Sequence, residues 1–163
     1  MRLVVQRVSH ASVDVAGERV AAIGQGFLAL AGFGPDDGPD LPASQAWRAM
    51  LDKLAGLRVF SDSEGKMNLS LADTGGEVLL VSQFTLYADC RKGMRPGFSR
   101  ACPPDTARAL FDRLARDVEA RLPGRTATGV FGADMAVSLT NQGPVTIILD
   151  SADFTRPATA GEG

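Results

Sequence analysis

Two segments with the apolar periodicity of an amphipathic helix divide this chain into three groups of strand-like segments. This alternation restricts the possible folds more than any other feature. Residues 43–57 carry apolar side chains at helical spacing, and Gly56 stands where a helix C-terminus favours glycine. The second stripe, residues 103–122, begins with two prolines, which suit the first turn of a helix. The order predicts a mixed α/β fold with a largely antiparallel sheet.

The remaining apolar segments alternate or run continuously between turn residues, as strands do. The tail, residues 151–163, has little to bury and is predicted to be mobile. A length of 163 residues, with neither repeat nor linker, indicates one domain over residues 1–150. Strands are predicted at 2–9, 11–15, 20–24, 26–34, 77–86, 134–141 and 145–150, with a strand, turn and strand over 58–71.

Charge, cysteine and histidine content exclude several classes of function. The formal net charge is −2, so any contact with nucleic acid must come from a local basic patch. Two cysteines and the single histidine, His10, do not form a metal-binding pattern, and they are too few for a disulfide scaffold. We expect no cofactor and no metal. No apolar stretch approaches the roughly 20 residues that a membrane helix needs, so we expect a cytoplasmic protein without membrane contact.

Polar residues interrupt an apolar strand at "SQFTLY", residues 82–87. Ser82, Gln83 and Thr85 would line a pocket if the strand end opens into a ligand site, or would be exposed if the strand simply reaches solvent. A hydroxyl nucleophile needs a base, and nothing in the sequence places His10 near Thr85. Thr85 is therefore interpreted as a hydrogen-bonding wall, with a catalytic role as the attacking nucleophile kept as the alternative.

A basic segment, "CRKGMRPGFSRA" at 90–101, follows directly. Its cations suit a phosphate backbone, although a solvated loop would have the same composition. Because the two segments are consecutive, they are predicted to form one site. The candidate RNA-binding residues are Arg91, Lys92, Arg95 and Arg100.

The stretch "NQGPVT" places Pro144 just before the apolar run "VTIILD". Proline cannot donate to a sheet ladder, and an X-Pro bond is the peptide bond that adopts cis at a cost of only about 0.5–1 kcal/mol. Locally, the stretch is typical of a β-turn with proline beginning a strand.

Five motifs occur along the chain in this order: "QRVSHASV", "GKMNLSL", "VSQFTLYAD", "KGMRPGFS" and "ADMAVSLTNQGPVT". Together they resemble the D-aminoacyl-tRNA deacylases, and the resemblance runs from Met1 to about Asp150. The resemblance implies a barrel-like sheet with two main helices and a homodimer. It also implies hydrolysis of the ester between a D-amino acid and the 3′-terminal adenosine of tRNA.

The resemblance also implies roles for single residues. Gly143-Pro144 would be cis and would insert into the partner subunit's pocket, where its carbonyl oxygens reject the side chain of an L-amino acid. Arg7 would brace those carbonyls, and Met135 would line the pocket. Backbone N–H groups at Phe84 and Thr85 would hold the oxyanion, while the RNA 2′-hydroxyl assists a water. Glycine has no side chain to reject, so glycyl-tRNA, such as tRNA(Ala) mischarged with glycine, would be a substrate.

Two other functions remain open on the sequence. One is a related deacylase with relaxed chirality, acting on L-alanyl-tRNA, in which the corresponding Gly-Pro peptide would be trans. The other is a non-catalytic binder of tRNA 3′ ends. The motifs "SQFT" and "NxGPVT" favour the D-specific enzyme.

Overall fold

The structure is a computed structural model that describes residues 1–155. Three helices lie among eight strands in these residues, with single 3-10 turns at 41–43, 84–87 and 151–154. The strands are β1 (Arg2–Val15), β2 (Glu18–Ile23), β3 (Gly26–Gly32), β4 (Phe60–Ser61), β5 (Met67–Leu69), β6 (Glu77–Ser82), β7 (Thr126–Thr128) and β8 (Met135–Asp150). The helices are α1 (Gln45–Gly56), α2 (Leu71–Thr74) and α3 (Pro104–Arg121).

Strand β1 is the centre of the main sheet. It pairs antiparallel with β8 along its length, and its other edge pairs antiparallel with β3 in the first half and with β2 in the second. Parallel pairing then adds β6 to β3 and β7 to β6. The sheet curls into a nearly closed barrel in which β2 lies against β6 and β7. The predicted mixed, barrel-like α/β fold is confirmed.

Two apolar cores lie on opposite faces of this sheet. On β3, Phe27 and Ala29 face the helices while Leu28 faces the barrel interior, as the two-residue period of a strand requires. Strand β1 changes sides along its length. Leu3 belongs to the helix-side core and Val13 to the interior core, and the change follows two irregularities in the β1–β8 register. A bulge shifts the alternation by one residue, so a single strand can supply both cores.

The two long helices match the predicted stripes. Ser44 caps α1 by accepting a hydrogen bond from the Trp47 backbone N–H at 3.0 Å. The Trp47 indole N–H donates to Asp117 on α3 at 2.8 Å, which joins the helices. Within residues 1–155, no helix is long and apolar enough to cross a membrane.

Several predicted boundaries were wrong. The segments 2–9 and 11–15 form one strand, and so do 134–141 and 145–150, because the chain continues in β8 through Gly143-Pro144. Strand β6 ends at Ser82, and the following residues form a 3-10 turn instead of continuing the strand.

Two short elements were not predicted. Helix α2 has a capping box, in which Ser70 and Asp73 each bond the other's backbone. Strand β7 has only three residues and forms by pairing with β6.

In the tail, Ser151–Phe154 forms a 3-10 turn, and the Ser151 N–H donates to the Met1 carbonyl at 2.9 Å. Residues 156–163 lie outside the described part of the chain, so the mobility predicted for the tail stays a prediction.

Candidate active site

An apolar cavity of about 440 Å³ opens at the carboxyl ends of the parallel strands β3 and β6. This is the edge of a parallel sheet at which α/β proteins commonly bind ligands. The walls come from the ends of both strands, the segment before α3, the start of α3 and the connection between β7 and β8. The lining residues are Ala31, Gly32, Phe33, Ser82, Gln83, Phe84, Phe98, Ala101, Cys102, Pro103, Pro104, Ala107, Phe131 and Gly132.

The turn Phe84–Tyr87 begins at the wall of this cavity, directly after the polar lining residues Ser82 and Gln83. Within it, the Leu86 N–H donates to the Gln83 carbonyl at 3.2 Å and the Ala88 N–H to the Thr85 carbonyl at 3.0 Å. The N–H groups of Phe84 and Thr85 come first in the turn, so they have no acceptor inside it. Two adjacent backbone donors therefore lie beside an apolar cavity.

Glycines at the end of β3 allow the turn to pack against the sheet. A Cβ at Gly32 would lie 2.8 Å from the Gln83 carbonyl oxygen and 3.0 Å from the Leu86 Cβ. A Cβ at Gly34 would lie 2.5 Å from the Tyr87 ring. Real Cβ contacts are essentially never this short, so these positions set how closely the turn approaches β3.

Among residues 1–155, the hydroxyl of Thr85 has a hydrogen-bond partner but no base in contact with it. The Gln83 side-chain amide donates to Thr85 Oγ1 at 2.5 Å. His10 lies on β1, and its ring contacts the hydroxyls of Ser9 and Thr140 at 3.1 and 3.3 Å. An amide cannot remove the proton of a hydroxyl, which is what a nucleophilic threonine would need. The role of Thr85 as a hydrogen-bonding wall stays a prediction.

The basic segment is folded back beside the cavity. Asp89 and Gly97 exchange backbone hydrogen bonds of 2.7 and 2.9 Å, which closes the loop. The ring of Phe98 packs edge-on against Phe84, with centroids 5.0 Å apart. This aromatic pair joins the loop to the rim of the cavity.

The cations of the loop are not equivalent. Arg91 forms an ion pair with Asp89 at 2.6 Å, and its side-chain hydrogen bond to that carboxylate lowers the pKa of Asp89 below the ordinary value. Lys92, Arg95 and Arg100 are exposed, and no ion pair involves them among residues 1–155. These three cations are the ones available for an anionic partner.

Gly143 and Pro144 lie exposed in the middle of β8, and the peptide bond between them is cis. The Asn141 side chain supports this part of the strand. Its Oδ1 accepts from the Val145 N–H at 2.8 Å, and its Nδ2 donates to Thr146 Oγ1 at 2.9 Å. A side chain thus supplies hydrogen bonds next to a proline that has no N–H to donate.

Arg7 lies directly under this segment. Its Nε donates to the Gln142 carbonyl at 2.9 Å, and its Nη1 donates to the Val59 carbonyl. Gly143 has φ of +136°, and a Cβ there would lie 2.8 Å from Arg7 Nη2. The guanidinium therefore packs against the one residue of the segment that has no side chain.

The candidate residues fall into separate groups in one chain. Ser82, Gln83 and Phe84 line the cavity, and Thr85 follows them in the turn. Gly143, Pro144 and Arg7 form a second group, and none of them lines that cavity. Met135 lies in neither group. It borders an open depression at the start of β8, with Asp14, Gly17, Asp134 and other residues.

Several wall residues were missed by the sequence analysis. Phe131 lies between β7 and β8, with the Arg108 guanidinium 4.7 Å from its ring centroid and Phe111 packed at 6.0 Å. Burial raises the pKa of the Cys102 thiol, so this wall residue stays protonated. The sequence does show Phe131 in a short segment between Gly129 and Gly132, but this pattern does not by itself indicate a pocket.

The described residues offer little for a metal ion. No group of three or more His, Cys, Asp or Glu side chains is clustered for metal binding within residues 1–155. The chemistry available at the cavity is that of apolar walls, backbone N–H donors and neighbouring cations. Fold and site together define an α/β protein with a ligand cavity at the ends of parallel strands and a basic loop beside it.

Comparison with known proteins identifies the family. The family model described as D-Tyr-tRNA(Tyr) deacylase matches residues 4–150. The chain is 61% identical to the D-aminoacyl-tRNA deacylase of Nitratidesulfovibrio vulgaris strain DP4, over 99% of this chain and 100% of the relative. It is 61% identical to that of Solidesulfovibrio magneticus, over 94% and 98%. The chain belongs to the D-Tyr-tRNA(Tyr) deacylase family, and the prediction of a deacylase from the sequence motifs is confirmed.

Solved structures agree in fold. A structure titled "c-Myc DNA Unwinding Element Binding Protein" superposes with a TM-score of 0.82 at 39% identity, covering 92% of this chain and 98% of that one. A structure described as a probable eukaryotic D-amino acid tRNA deacylase gives a TM-score of 0.75 at 20% identity, covering 91% and 97%. The second similarity supports the fold alone.

Proposed function

We propose that this chain hydrolyses the ester of D-aminoacyl-tRNA at the cavity beside Phe84–Tyr87, and that it releases free tRNA and the D-amino acid. The observation that carries this proposal is that the turn with the Phe84 and Thr85 N–H groups begins at the wall of an apolar cavity, next to the loop that holds Lys92 and Arg95. An aminoacylated adenosine presents the aromatic faces of its base, an ester carbonyl and a phosphate backbone. The apolar cavity suits the base, the backbone N–H groups suit the ester carbonyl, and the loop cations suit the phosphates.

The reaction needs stabilisation of an oxyanion more than it needs a side-chain base. Water adds to the ester carbonyl and gives a tetrahedral intermediate, which collapses with cleavage of the bond to the 3′-oxygen. The RNA 2′-hydroxyl assists the water, and the proton passes to the departing 3′-oxygen. The N–H groups of Phe84 and Thr85 hold the oxyanion, and donors of this kind contribute roughly 3–4 kcal/mol each in well-studied hydrolases.

Gly143-Pro144 supplies the chirality filter from a second copy of the chain. The segment is exposed in one chain and separate from that chain's cavity, as a part that inserts into a partner must be. Its carbonyl oxygens accept the ammonium of a D-amino acid and obstruct the side chain of an L-amino acid. Arg7 holds the segment through the Gln142 carbonyl. Glycyl-tRNA passes the filter because glycine has no side chain, and tRNA(Ala) mischarged with glycine is therefore included among the substrates.

The basic loop holds the tRNA end. Lys92, Arg95 and Arg100 contact phosphates, whereas Arg91 is engaged by Asp89 and contributes less. Phosphate contacts of this kind give affinity without reading sequence. Met135 is assigned to the same substrate pocket by resemblance only. Because the substrate is an intermediate of protein synthesis, we place the activity in the cytoplasm.

Three esters test the proposal. The purified protein is mixed with D-tyrosyl-, L-tyrosyl- and glycyl-tRNA, and ester loss is followed over time. Loss of the D-tyrosyl and glycyl esters with the L-tyrosyl ester spared is the expected result. Loss of the L-tyrosyl ester would support the enzyme with relaxed chirality, and binding without any loss would leave a non-catalytic tRNA-end binder.

A further inference from the structure

The guanidinium of Arg2 joins three parts of the molecule. Its Nε and Nη2 donate to one carboxylate oxygen of Asp150 at 3.0 and 2.8 Å. Its Nη1 donates to the Leu86 carbonyl at 2.9 Å, and its central carbon lies 5.0 Å from the centroid of the Tyr87 ring. Arg2 thus contacts both residues that end the turn Phe84–Tyr87, whose first residue lines the cavity.

The register of the sheet explains why this contact forms. Arg2 pairs with Gly32 on β3 and with Asp150 on β8, so its side chain starts between the two neighbouring strands. Gly32 has no side chain, and the turn packs directly over it. The guanidinium reaches the turn from one side while Gly32 supports it from below. Leu86 is therefore fixed by a strand that is itself paired on both edges.

The contact is also placed where it has most effect on the turn. The last carbonyls of a short helical turn have no partner inside it, and a cation is favourable at that end. Arg2 is 36% exposed and Asp150 is 26% exposed, so water screens the pair only in part. A planar guanidinium can bond a carboxylate and a carbonyl and still lie over an aromatic ring, which an ammonium cannot do.

Arg2 is not another tRNA-binding cation. All three of its nitrogens already donate within the protein, whereas Lys92, Arg95 and Arg100 of the basic loop are exposed. A phosphate could bind Arg2 only by displacing Asp150 or the Leu86 carbonyl.

We propose that Arg2 is a positioning residue for the deacylase reaction: it fixes the turn Phe84–Tyr87 so that the Phe84 and Thr85 N–H groups point at the ester. This inference rests on the proposed oxyanion role of that turn. Arg2 touches no substrate atom, and it acts through the Leu86 carbonyl and the Tyr87 ring. Asp150 holds the guanidinium in place.

Steady-state kinetics with D-tyrosyl-tRNA separate positioning from a purely structural role. Misplacing a catalytic group by about 1 Å costs on the order of 100-fold in rate, so Arg2→Ala is expected to lower kcat by about 10- to 100-fold. The KM should stay within about twofold, because the cavity walls and the basic loop are unchanged. Arg2→Lys, which keeps the charge and one donor for the Leu86 carbonyl, should recover part of the lost kcat. The matched control is Arg19→Ala, which removes an exposed arginine paired with Asp14 away from the cavity.

A second measurement does not depend on turnover. The backbone amide signals of Phe84 and Thr85 in a two-dimensional NMR spectrum should shift in Arg2→Ala and stay in place in Arg19→Ala. If the wild-type chain has no deacylase activity, the proposed function fails, and these shifts still report whether Arg2 fixes the turn. Unchanged amide signals, a kcat equal to that of Arg19→Ala, or a rise in KM as large as the fall in kcat would each overturn the proposal.

Discussion

Substituting Gly143 by alanine tests whether the Gly143-Pro144 segment filters chirality. Gly143 has φ of +136°, a region that costs an L-residue about 1–3 kcal/mol. The new Cβ would lie 2.8 Å from Arg7 Nη2, so the guanidinium must move and release the Gln142 carbonyl. A hydrogen bond of this kind is worth about 1 kcal/mol. The expected loss of unfolding free energy is about 2–4 kcal/mol in total.

Gly65→Ala is the matched control. Gly65 also has positive φ, at +77°, but nothing lies within 4 Å of its Cβ position. Gly65→Ala should therefore cost about 1–2 kcal/mol of backbone strain without displacing any neighbour. For a chain of this size 1 kcal/mol shifts Tm by roughly 2–4 °C. Calorimetry should place Gly143→Ala about 10 °C below the wild type and Gly65→Ala about 4 °C below it.

The activity assay compares rates on D- and L-tyrosyl-tRNA at a temperature where both variants are folded. Gly143→Ala is expected to lose most of the preference for the D ester, because the carbonyl oxygens that face the substrate move with the segment. Gly65→Ala should keep the wild-type preference. If both variants show the same ratio of D to L rates as the wild type, the segment does not act as the filter.

Three further perturbations follow from the site. Thr85→Ala should retain much of the deacylase rate, since no base contacts its hydroxyl; a complete loss in a folded variant, measured by ester hydrolysis, would contradict RNA-assisted catalysis. Lys92→Ala and Arg95→Ala should each weaken tRNA binding and reduce the slope of log affinity against log salt by about 1, while Arg91→Ala changes it less; equal slopes in all three variants would argue against phosphate contacts. Burial raises the pKa of Tyr87, the one tyrosine of the chain, to about 12. The folded state disfavours the tyrosinate, so this stabilisation is complete below pH about 10 and is lost as pH rises toward 12. Denaturant titrations over this range should show a decline that Tyr87→Phe reduces, and an identical decline in the variant would refute the assignment.

The helices could be predicted from the sequence because their apolar stripes are long. The predicted segment 43–57 agrees with α1 within two residues at its start, where Ser44 gives a capping signal. Helix α2 also had a signal, the Ser70 and Asp73 pair at capping-box spacing, but four residues are too few to show periodicity.

The continuity of β8 could not be predicted from local rules. Asn-Gln-Gly-Pro is typical of a turn, and Pro144 cannot donate to the ladder. The strand continues because Asn141 Oδ1 accepts a hydrogen bond from the Val145 N–H. In addition, β1 pairs with β8 on both sides of Gly143-Pro144. Both causes depend on the folded chain, so the sequence around Pro144 does not reveal them. Strand β7 is a similar case, since three residues become a strand only by pairing with β6.

The candidate site was predicted in part. The first three residues of "SQFT" line the cavity, and the basic loop adjoins it through the pair Phe98 and Phe84. Phe131 and the end of β3 were missed because, in the sequence, apolar residues that line a cavity look the same as apolar residues of a buried core. The separation of Gly143 from the cavity also has no sequence signal, since it depends on how β8 is placed in the folded chain.

Strand β1 also has a consequence for cooperativity. It supplies Leu3 to one core and Val13 to the other. It also carries Arg2 at its first position and Arg7 further along, which bond the turn Phe84–Tyr87 and the Gly143 segment. Neither core can unfold without displacing β1, which also contributes to the other core. The molecule is therefore built to unfold in one transition, and on heating both halves of the site should be lost together with the fold rather than before it.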